Sequence, residues 1–399
     1  MYTLYCRLYQ QAYRGAAYLL PWRKPELITG ENSVEELPLL IKKEGINSVL
    51  IVTDKGIASL GLMNGLLLQM DAERLTYKVY DKTVPNPTIG NIEEALRIYQ
   101  ENKCEAIIAF GGGSAMDCAK GVGARAARPE KTIPQMKGQL KVRKRIPTLF
   151  AIPTTSGTGS EATVAAVISN PETHEKYAVN DPVLIPHYAV LDPLLTVKLP
   201  PHFTSTTGMD AMTHAVEAYI GRSRTKETIQ CSREAITLIF DNLYEAYSNG
   251  ESIPARTNMQ KASYLAGVAF TRAYVGYVHA IAHTLGGFYS IPHGLANAII
   301  LPHVLEYYGD SVHKQLAELA DSAGICDACD TTEQKASAFI ERIKKLNEDM
   351  DIPAKVSGIA ETDIPLMVKR ALAEANPLYP VPRILTEKDL FELYGLIKE

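Results

Sequence analysis

The hydrophobic pattern of this chain changes once, near residue 200, and the change limits the folds that the chain can adopt. In the first half, short β-branched runs alternate with segments of helical periodicity. Strands are predicted at residues 47–54, 75–81, 105–110, 148–155 and 188–192, and a helix is predicted at residues 91–103. Because strands that alternate with helices form parallel sheets, we expect a largely parallel sheet covered on both faces.

Segments of helical periodicity dominate the chain after residue 200. The predicted helices span residues 206–221, 226–246, 253–273, 295–308, 314–323, 332–349 and 366–375. The two patterns meet at "KLPPHFT", residues 198–204, where two prolines interrupt the periodicity. The sequence therefore predicts an α/β N-terminal lobe with a parallel, Rossmann-like sheet, residues 1–199, and an all-α C-terminal lobe, residues 200–399.

The composition argues against several classes of protein. A formal net charge of −4 does not suggest a basic nucleic-acid surface, and no apolar run approaches the ~20 residues that span a bilayer. The six cysteines are scattered apart from one Cys-x-x-Cys, which is unlike a secreted disulfide framework. The opening "MYTLYCRLYQQAYRG" lacks the apolar core of a signal peptide. We therefore expect a cytoplasmic protein with neither a nucleic-acid nor a membrane partner.

Three of the nine histidines fall within one short stretch, "YVHAIAHTLGGFYSIPHG" at residues 277–294. His279 and His283 are four residues apart, so a helix through them would present both on one face. The glycine pair that follows is expected to end that helix, which leaves His293 near the start of the next one. This spacing alone is compatible with a metal site and equally with buried histidines that only stabilise the fold.

A second stretch strengthens the metal interpretation. "TGMDAMTHAVEAY", residues 207–219, puts Asp210 and His214 four apart on a predicted helix. Together with His279 and His293 they would supply one carboxylate oxygen and three imidazole nitrogens. That set suits Fe²⁺ or Zn²⁺ and leaves a coordination position for another oxygen.

His283 is left outside this set, one helical turn from His279. An uncoordinated imidazole titrates near neutral pH and can carry a proton. The alternative is a histidine that only hydrogen-bonds near the metal.

The stretch "EAIIAFGGGSAMDCAKGVG" predicts a strand, a glycine turn and a helix. The glycines allow close approach of the backbone to a ligand, and the N–H groups at a helix start favour a pyrophosphate. Ser114 is expected to cap the helix, with Asp117 in the capping-box position. Because Met116 stands where Gly-x-Gly-x-x-Gly has its last glycine, the motif alone is only moderately specific.

Two further features suit a dinucleotide. "IPTTSGTGSEAT", residues 152–163, is dense in hydroxyl groups that would hydrogen-bond to phosphate and ribose oxygens; a hydroxyl-rich turn is the alternative. Asp54 ends the first predicted strand. A carboxylate there would bind ribose hydroxyls and repel a 2′-phosphate, favouring NAD over NADP. The alternative is a turn aspartate before Gly56.

In this order and spacing, the motifs resemble those of the iron-containing alcohol dehydrogenases, often called group III. The resemblance covers residues 25–399 and rests on "FGGGSAMDCAK", "IPTTSGTGSEAT", "GMDAMTHAVEAY" and "VHAIAHTLGGFYSIPHG". It implies the architecture of dehydroquinate synthase and the iron-dependent alcohol dehydrogenases. It also implies a metal-dependent, NAD(H)-linked interconversion of a short-chain aldehyde and a primary alcohol, in a homodimer or a higher homo-oligomer.

The resemblance also assigns roles to residues. It implies that Fe²⁺, with Zn²⁺ as the alternative, is bound by Asp210, His214, His279 and His293, and that His283 helps to relay a proton. The implied NAD(H) site consists of Gly112, Gly113 and Ser114 at the pyrophosphate, Thr154, Thr155 and Thr158 along the nucleotide, Asn86 and Lys176 near the nicotinamide ribose and phosphates, and Asp54 as the residue associated with NAD preference.

Two positions depart from the family pattern. Where relatives are expected to carry Asn and a small residue, this chain has Arg272 and Tyr274. A guanidinium about two helical turns before His279 would suit an anionic substrate, so an aldehyde such as sulfoacetaldehyde or succinate semialdehyde is one hypothesis. The alternative is that Arg272 binds a nearby carboxylate or a helix end.

Other functions remain open at this stage. They are a general short-chain alcohol, diol or butanol dehydrogenase, a lyase like dehydroquinate synthase, and a non-catalytic assembly protein on the same scaffold. Residues 1–24, which precede the resemblance, are interpreted as an edge strand or a subunit contact.

Overall fold

The structure is a computed structural model that describes residues 1–17, 20–172, 175–327 and 329–399. The chain divides into two compact units. One unit is Pro21–Leu199, and the other combines Met1–Leu20 with Pro200–Glu399.

The secondary-structure elements are numbered in chain order. The strands are β1 (Glu26–Thr29), β2 (Ser48–Val52), β3 (Thr76–Tyr80), β4 (Ala106–Gly111), β5 (Gly138–Gln139), β6 (Thr148–Pro153), β7 (Ala165–Asn170), β8 (Glu175–Asn180) and β9 (Tyr188–Leu191). The helices are α1 (Tyr2–Ala17), α2 (Leu37–Lys43), α3 (Lys55–Ser59), α4 (Asn64–Ala72), α5 (Ile89–Glu101), α6 (Gly113–Ala127), α7 (Pro201–Ile220), α8 (Lys226–Ser248), α9 (Ile253–Ala273), α10 (Tyr277–Tyr289), α11 (His293–Tyr308), α12 (His313–Ser322), α13 (Thr332–Asp349), α14 (Ile364–Ala375) and α15 (Glu387–Ile397).

A six-stranded parallel sheet lies at the centre of the α/β unit, with strand order β1-β9-β6-β4-β2-β3. Successive side chains of β4 point to opposite faces, so Ile107 enters one hydrophobic core and Ile108 the other. Met116 of α6 packs into the first core and Leu66 of α4 into the second. The prediction of a parallel sheet covered on both faces is therefore confirmed.

A smaller three-stranded sheet, β5-β8-β7, belongs to the same unit. β7 and β8 pair antiparallel, and Ile168 and Val179 bury their side chains in the core that also contains Ile107. The sequence analysis did not predict this hairpin.

The helical unit has one continuous hydrophobic core. It is formed by inward-facing side chains such as Met212 of α7, Ile239 of α8 and Leu285 of α10. The prediction of a helical C-terminal part is confirmed, and α9 and α13 begin and end at the predicted residues. Among the described residues, no helix is long and apolar enough to cross a membrane.

The N-terminal segment is not the edge strand that was one interpretation of residues 1–24, and the other interpretation, a subunit contact, stays a prediction. Residues 2–17 form α1, which is grouped with the helical unit rather than with the α/β unit. One side of α1 is buried, at Cys6 and Gln10, while Leu4 and Leu8 are exposed. A helix rather than an edge strand follows because buried positions recur four residues apart. Residues 18 and 19 of this segment lie outside the described residues.

Candidate active site

Three helices bring the predicted metal ligands together. Asp210 and His214 are one turn apart on the buried helix α7, His279 lies in the first turn of α10, and His293 is the first residue of α11. Gly294 permits this arrangement, since a Cβ at that position would overlap the backbone oxygen of Thr206. The start of α11 can therefore approach α7 beside Asp210.

The ligand atoms of Asp210, His279 and His293 lie within 4.8 Å of one another. Asp210 Oδ1 is 3.9 Å from His279 Nε2 and 3.5 Å from His293 Nε2. Tetrahedral ligands held about 2.1 Å from an ion stand about 3.4 Å apart, so these separations suit a divalent cation. His214 is not part of this group of ligand atoms, but its ring lies beside His279 at a centroid distance of 4.5 Å.

The sequence analysis missed Asn297, which is fully buried one turn after His293. Its Nδ2 donates to Asp210 Oδ1 at 2.7 Å and lies 3.3 Å from His279 Nε2 and 3.2 Å from His293 Nε2. One carboxylate oxygen and two ring nitrogens therefore lie around one amide nitrogen, and these three atoms are of the kinds that bind a divalent cation. Asn297 Oδ1 is buried and has no hydrogen-bond partner within the described part of the chain.

Glu217 was also missed, and it orients His279. Its Oε2 lies 2.6 Å from His279 Nδ1, and the carboxylate accepts backbone N–H groups from Gly276 and Val278, each at 2.8 Å. Gly276 allows this approach because a Cβ there would stand 2.7 Å from Glu217 Oε1. Proton donation from Nδ1 to this carboxylate leaves Nε2 free for a metal.

Burial raises the pKa of Glu217 to about 8, although the backbone hydrogen bonds oppose this shift. Burial, together with the neighbouring histidines, holds the pKa of His279 well below its usual value. A neutral imidazole is the form that binds metal. A cation bound at His279 Nε2 would also place a positive charge near an ionised Glu217. Glu217 and His279 therefore both suit a metal site.

We expect Glu217→Gln to weaken Fe²⁺ binding about 10- to 100-fold. The amide would donate a hydrogen bond to His279 Nδ1, which moves the ring proton to the nitrogen that faces Asp210. Competition with a chelator under anaerobic conditions measures the affinity directly. Glu251→Gln, which changes an exposed glutamate of the same unit, is the control. An unchanged affinity in Glu217→Gln would contradict this role.

His283 lies at the edge of the histidine cluster. Its ring stacks on that of His293, with centroids 5.1 Å apart, and its Nδ1 lies 2.7 Å from Glu374 Oε1. The side chain is about one-third exposed, at 32%. An imidazole held through Nδ1 by a carboxylate presents Nε2 for proton exchange. Glu374, which the sequence analysis missed, supplies that carboxylate.

The glycine pair does not end the helix that carries His279, contrary to the prediction. α10 continues through Gly286 and Gly287 to Tyr289, and Ser290 follows in a left-handed conformation with φ 56°. The chain then reaches Pro292, the residue before α11, so the prediction that His293 lies at a helix start is correct.

Arg272 and Tyr274 have partners inside the helical unit. Arg272 Nη1 donates to Glu227 Oε2 at 2.6 Å, which is the carboxylate pairing left open as the alternative to an anionic substrate. Tyr274 has φ 67° and ψ −179°, a strained conformation that glycine adopts most readily. Its ring packs edge-on against Tyr13 of α1 at a centroid distance of 5.8 Å.

The glycine turn of the α/β unit is shaped by a neighbouring threonine loop. β4 ends at Gly111, and α6 begins at Gly113. Gly112 is the N-cap residue of α6 and, as a glycine, has no side chain to bond to the helix start. A Cβ at Gly113 would lie 2.9 Å from Thr158 Cγ2, and one at Gly112 would lie 3.5 Å from the Thr155 side chain. Glycine is needed at position 113 for the two loops to pack this closely, whereas a Cβ at position 112 would make an ordinary contact. The first N–H groups of a helix such as α6 favour an anion.

The predicted capping role of Ser114 is wrong. Ser114 is the second residue of α6, and its Oγ accepts a hydrogen bond from the Asn86 backbone N–H at 3.2 Å. Asp117 instead accepts from Ser160 Oγ at 3.3 Å. Lys176 Nζ donates to Asn86 Oδ1 at 2.6 Å, so Asn86, Ser114 and Lys176 form one polar cluster.

The threonine loop carries a buried hydroxyl that suits a ligand. Thr154 N–H donates to Gly111 O at 3.1 Å, while Thr154 Oγ1 is buried without a hydrogen-bond partner among the residues that the structure describes. Thr158 Oγ1 accepts from Ser160 N–H at 3.2 Å. The loop is therefore a hydrogen-bonded turn that also presents an unused donor.

Lys120 of α6, also missed by the sequence analysis, connects this loop to the helix through hydrogen bonds. Its buried ammonium donates to Ser160 Oγ, to both oxygens of Thr163 and to Ala165 O, at 2.8–3.0 Å. Burial lowers the pKa of Lys120 to about 8, and the charges of Asp117 and Glu161 oppose that shift. The ammonium therefore fixes the position of the hydroxyl-rich turn.

Asp54 has the structural role that the sequence offered as one alternative, and its part in NAD preference stays a prediction. Its Oδ1 accepts the Ile57 N–H at 3.0 Å and caps α3. Its Oδ2 lies 3.7 Å from the position that a Cβ of Gly111 would occupy. One carboxylate oxygen therefore caps a helix while the other faces the glycine turn.

Comparison with known proteins agrees with this geometry. The sequence-family model named iron-containing alcohol dehydrogenase matches residues 24–193. The sequence-family model for the C-terminal part of the Fe-containing alcohol dehydrogenase family matches residues 204–397. Alcohol dehydrogenase 4 of Saccharomyces cerevisiae is 39% identical over 350 residues, which are 87% of this chain and 90% of the yeast protein. The 1,3-propanediol dehydrogenase of Citrobacter freundii is 36% identical over 387 residues, 96% of this chain and 99% of that protein.

Among solved structures, sulfoacetaldehyde reductase from Bifidobacterium kashiwanohense, in complex with NAD⁺, has a similar fold. Its TM-score is 0.85 at 26% identity, and the match covers 95% of this chain and 98% of that one.

Proposed function

Because the chain belongs to the iron-containing alcohol dehydrogenase family and is an oxidoreductase of alcohols or aldehydes, we propose that it interconverts short-chain aldehydes and primary alcohols with NAD(H) and Fe²⁺. The observation that carries the proposal is the convergence of the Asp210, His279 and His293 ligand atoms within 4.8 Å. Zn²⁺ accepts the same ligands and is the alternative metal.

Four residues would hold the metal: Asp210, His214, His279 and His293. When bound, the ion supplies a Lewis acid for the substrate oxygen, and NADH supplies the hydride. Glu217 keeps the His279 proton on Nδ1. His283, held by Glu374, exchanges the proton that the substrate oxygen gains or loses.

The nucleotide-binding residues support NAD(H) as the second cofactor. Gly112, Gly113 and Ser114 would bind the pyrophosphate at the start of α6, and Thr154 Oγ1 has a hydrogen bond to offer. Thr155 and Thr158 pack along the same turn, and Asn86 and Lys176 form the polar cluster beside it. Asp54 would repel a 2′-phosphate, which favours NAD over NADP.

The ion pair of Arg272 with Glu227 supports an uncharged short-chain aldehyde or alcohol as the substrate. A guanidinium that already binds a carboxylate gains less from a substrate anion. An anionic aldehyde such as sulfoacetaldehyde is the second candidate, since one structural relative is a sulfoacetaldehyde reductase. Location in the cytoplasm and assembly into a homo-oligomer remain predictions.

The test of function and substrate is NADH oxidation by Fe²⁺-loaded enzyme under anaerobic conditions, with propionaldehyde and with sulfoacetaldehyde. We expect a higher kcat/KM for propionaldehyde, and we expect Arg272→Asn to change both values by a similar factor. A tenfold preference for sulfoacetaldehyde, about 1.4 kcal/mol of transition-state stabilisation, that disappears in Arg272→Asn would favour the anionic substrate instead.

The same assay separates the dehydrogenase from the other candidates. A lyase like dehydroquinate synthase uses NAD without net production of NAD⁺ or NADH, and an assembly protein has no metal-dependent turnover. Stoichiometric NADH consumption that requires Fe²⁺ supports the dehydrogenase. No NADH consumption with any aldehyde, by protein that binds Fe²⁺ and NADH, would contradict it.

A further inference from the structure

The N-terminal helix α1 binds a proline-rich loop near the other end of the chain. Arg7 donates from Nη1 to Val381 O and from Nη2 to Pro382 O, each at 2.7 Å. The buried Gln10 donates from Nε2 to Tyr379 O at 2.7 Å and to Pro377 O at 3.1 Å. An Arg7–Gln10 hydrogen bond of 2.9 Å joins the two side chains. We call residues 377–382 the proline loop.

The composition of the proline loop explains why side chains hold it. Three of its six residues, Pro377, Pro380 and Pro382, have no backbone N–H, so the loop has few donors of its own for its carbonyl oxygens. Buried carbonyl groups need hydrogen-bond partners. Arg7 and Gln10 supply donors from a helix that lies more than 360 residues earlier in the chain.

The proline loop carries a tyrosine that contacts the carboxylate behind His283. Tyr379 OH donates to Glu374 Oε1 at 2.8 Å, and His283 Nδ1 lies 2.7 Å from the same oxygen. Hydrogen bonds therefore join Gln10 to the Tyr379 backbone, and the Tyr379 hydroxyl to Glu374 and on to His283; the covalent side chain of Tyr379 connects the two parts. The position of α1 is thereby coupled to the orientation of an imidazole in the candidate active site.

A second contact from α1 reaches the segment behind His279. Tyr13 packs edge-on against Tyr274, which has the strained φ of 67°. Two residues further on, the Gly276 N–H donates to Glu217, the carboxylate that bonds to His279. Neighbouring structure must hold a strained residue in place, and Tyr13 is part of that structure.

We propose that α1 is a positioning element of the active site. Gln10 and Arg7 hold the proline loop so that Tyr379 fixes Glu374, and Glu374 fixes the ring of His283. The inference rests on the proposed function, in which His283 transfers the proton. It gives a role to a segment that precedes the residues matched by the family models.

The first experiment replaces Gln10 with methionine, which keeps the side-chain length and removes both donors. We expect kcat of the Fe²⁺-loaded enzyme to fall about tenfold with little change in KM for the aldehyde, because a small misplacement of a reacting group slows the chemical step. The solvent deuterium isotope effect on kcat should rise as proton transfer becomes limiting. Gln11→Met, on the exposed side of α1, is the matched control and should leave both quantities unchanged.

A double-mutant cycle with Tyr379→Phe tests the route of the effect. Tyr379→Phe removes only the hydroxyl that contacts Glu374, and alone it should slow kcat and raise the isotope effect. If α1 acts through this hydroxyl, kcat of the double variant should be only slightly lower than kcat of Tyr379→Phe alone. Losses that multiply fully, or an unchanged kcat in Gln10→Met, would overturn the inference. If Gln10→Met folds poorly, Tyr379→Phe alone still tests the inference. An unchanged isotope effect in Tyr379→Phe would overturn the positioning role of α1.

The measurements distinguish a failure of this inference from a failure of the proposed function. Iron content and NADH affinity are measured for each variant, and we expect both to match the wild-type values. A wild-type enzyme that binds Fe²⁺ and NADH but reduces no aldehyde contradicts the proposed function. An active wild type with unaffected Gln10→Met and Tyr379→Phe variants contradicts the positioning role alone.

Discussion

Replacing His279 with alanine should remove the metal and the activity together. The side chain is buried, its Nε2 faces Asp210 Oδ1, and its Nδ1 is held by Glu217. Alanine removes one metal ligand and leaves two buried carboxylates without the imidazole between them. Loss of the Lewis acid withdraws several kcal/mol of transition-state stabilisation, so kcat/KM should fall by about a thousandfold or more.

The measurement is the Fe²⁺ content per chain after anaerobic loading and gel filtration, followed by NADH oxidation on the same sample. His313→Ala, which removes an imidazole of α12 outside the site, is the control and should keep both iron and activity. His279→Asn preserves more of the side-chain volume and guards against a cavity that unfolds the unit. An alanine variant that retains a full complement of iron would show that His279 is not a ligand.

The sequence predicted much of the fold because its evidence was local. The apolar run that forms β4 and the helical periodicity of α9 and α13 are properties of short segments. The helix through Gly286 and Gly287 was not predicted, because tertiary packing overrides the weak helix preference of glycine. α1 was missed for a related reason: its position depends on partners such as Val381, which lie far away in the chain.

The same distinction applies to the candidate site. Asp210 and His214 were paired by a spacing of four residues, as were His279 and His283, and a helix turns such a spacing into one face. Glu374 gave no comparable signal, because it meets His283 only after the chain has folded across 91 residues.

Two other site residues lie close in sequence to recognised ones. Glu217 and Asn297 occupy the same helices as His214 and His293, three and four residues further on. That spacing was available as a signal, and a metal-bound histidine commonly donates its second N–H to a carboxylate. Which histidine Glu217 meets was beyond the sequence, because its partner His279 lies on a different helix.

Replacing His283 with alanine should separate proton transfer from metal binding. We expect the variant to bind Fe²⁺ and NADH as the wild type does, and kcat to fall about 100-fold, a typical contribution of a general acid or base. His283 is not one of the four residues proposed to hold the metal, and its Nδ1 lies 2.7 Å from Glu374 Oε1. Iron content, NADH affinity and the rate of NADH oxidation are the measurements.

The stacking of His283 on His293 requires a control variant. Alanine at position 283 removes the ring that packs against His293, a proposed metal ligand, and so also removes a contact that positions it. His283→Gln keeps a planar polar group against His293 and lacks a ring nitrogen that can accept and release a proton. Addition of imidazole to His283→Ala should restore part of the rate, since free imidazole can carry the proton through the space that the side chain vacates. A variant that loses iron in parallel with activity would make His283 a support for the metal site. An unchanged rate would remove it from the proton path, and the proton would then have to reach the substrate oxygen through water or the ribose hydroxyls of the cofactor.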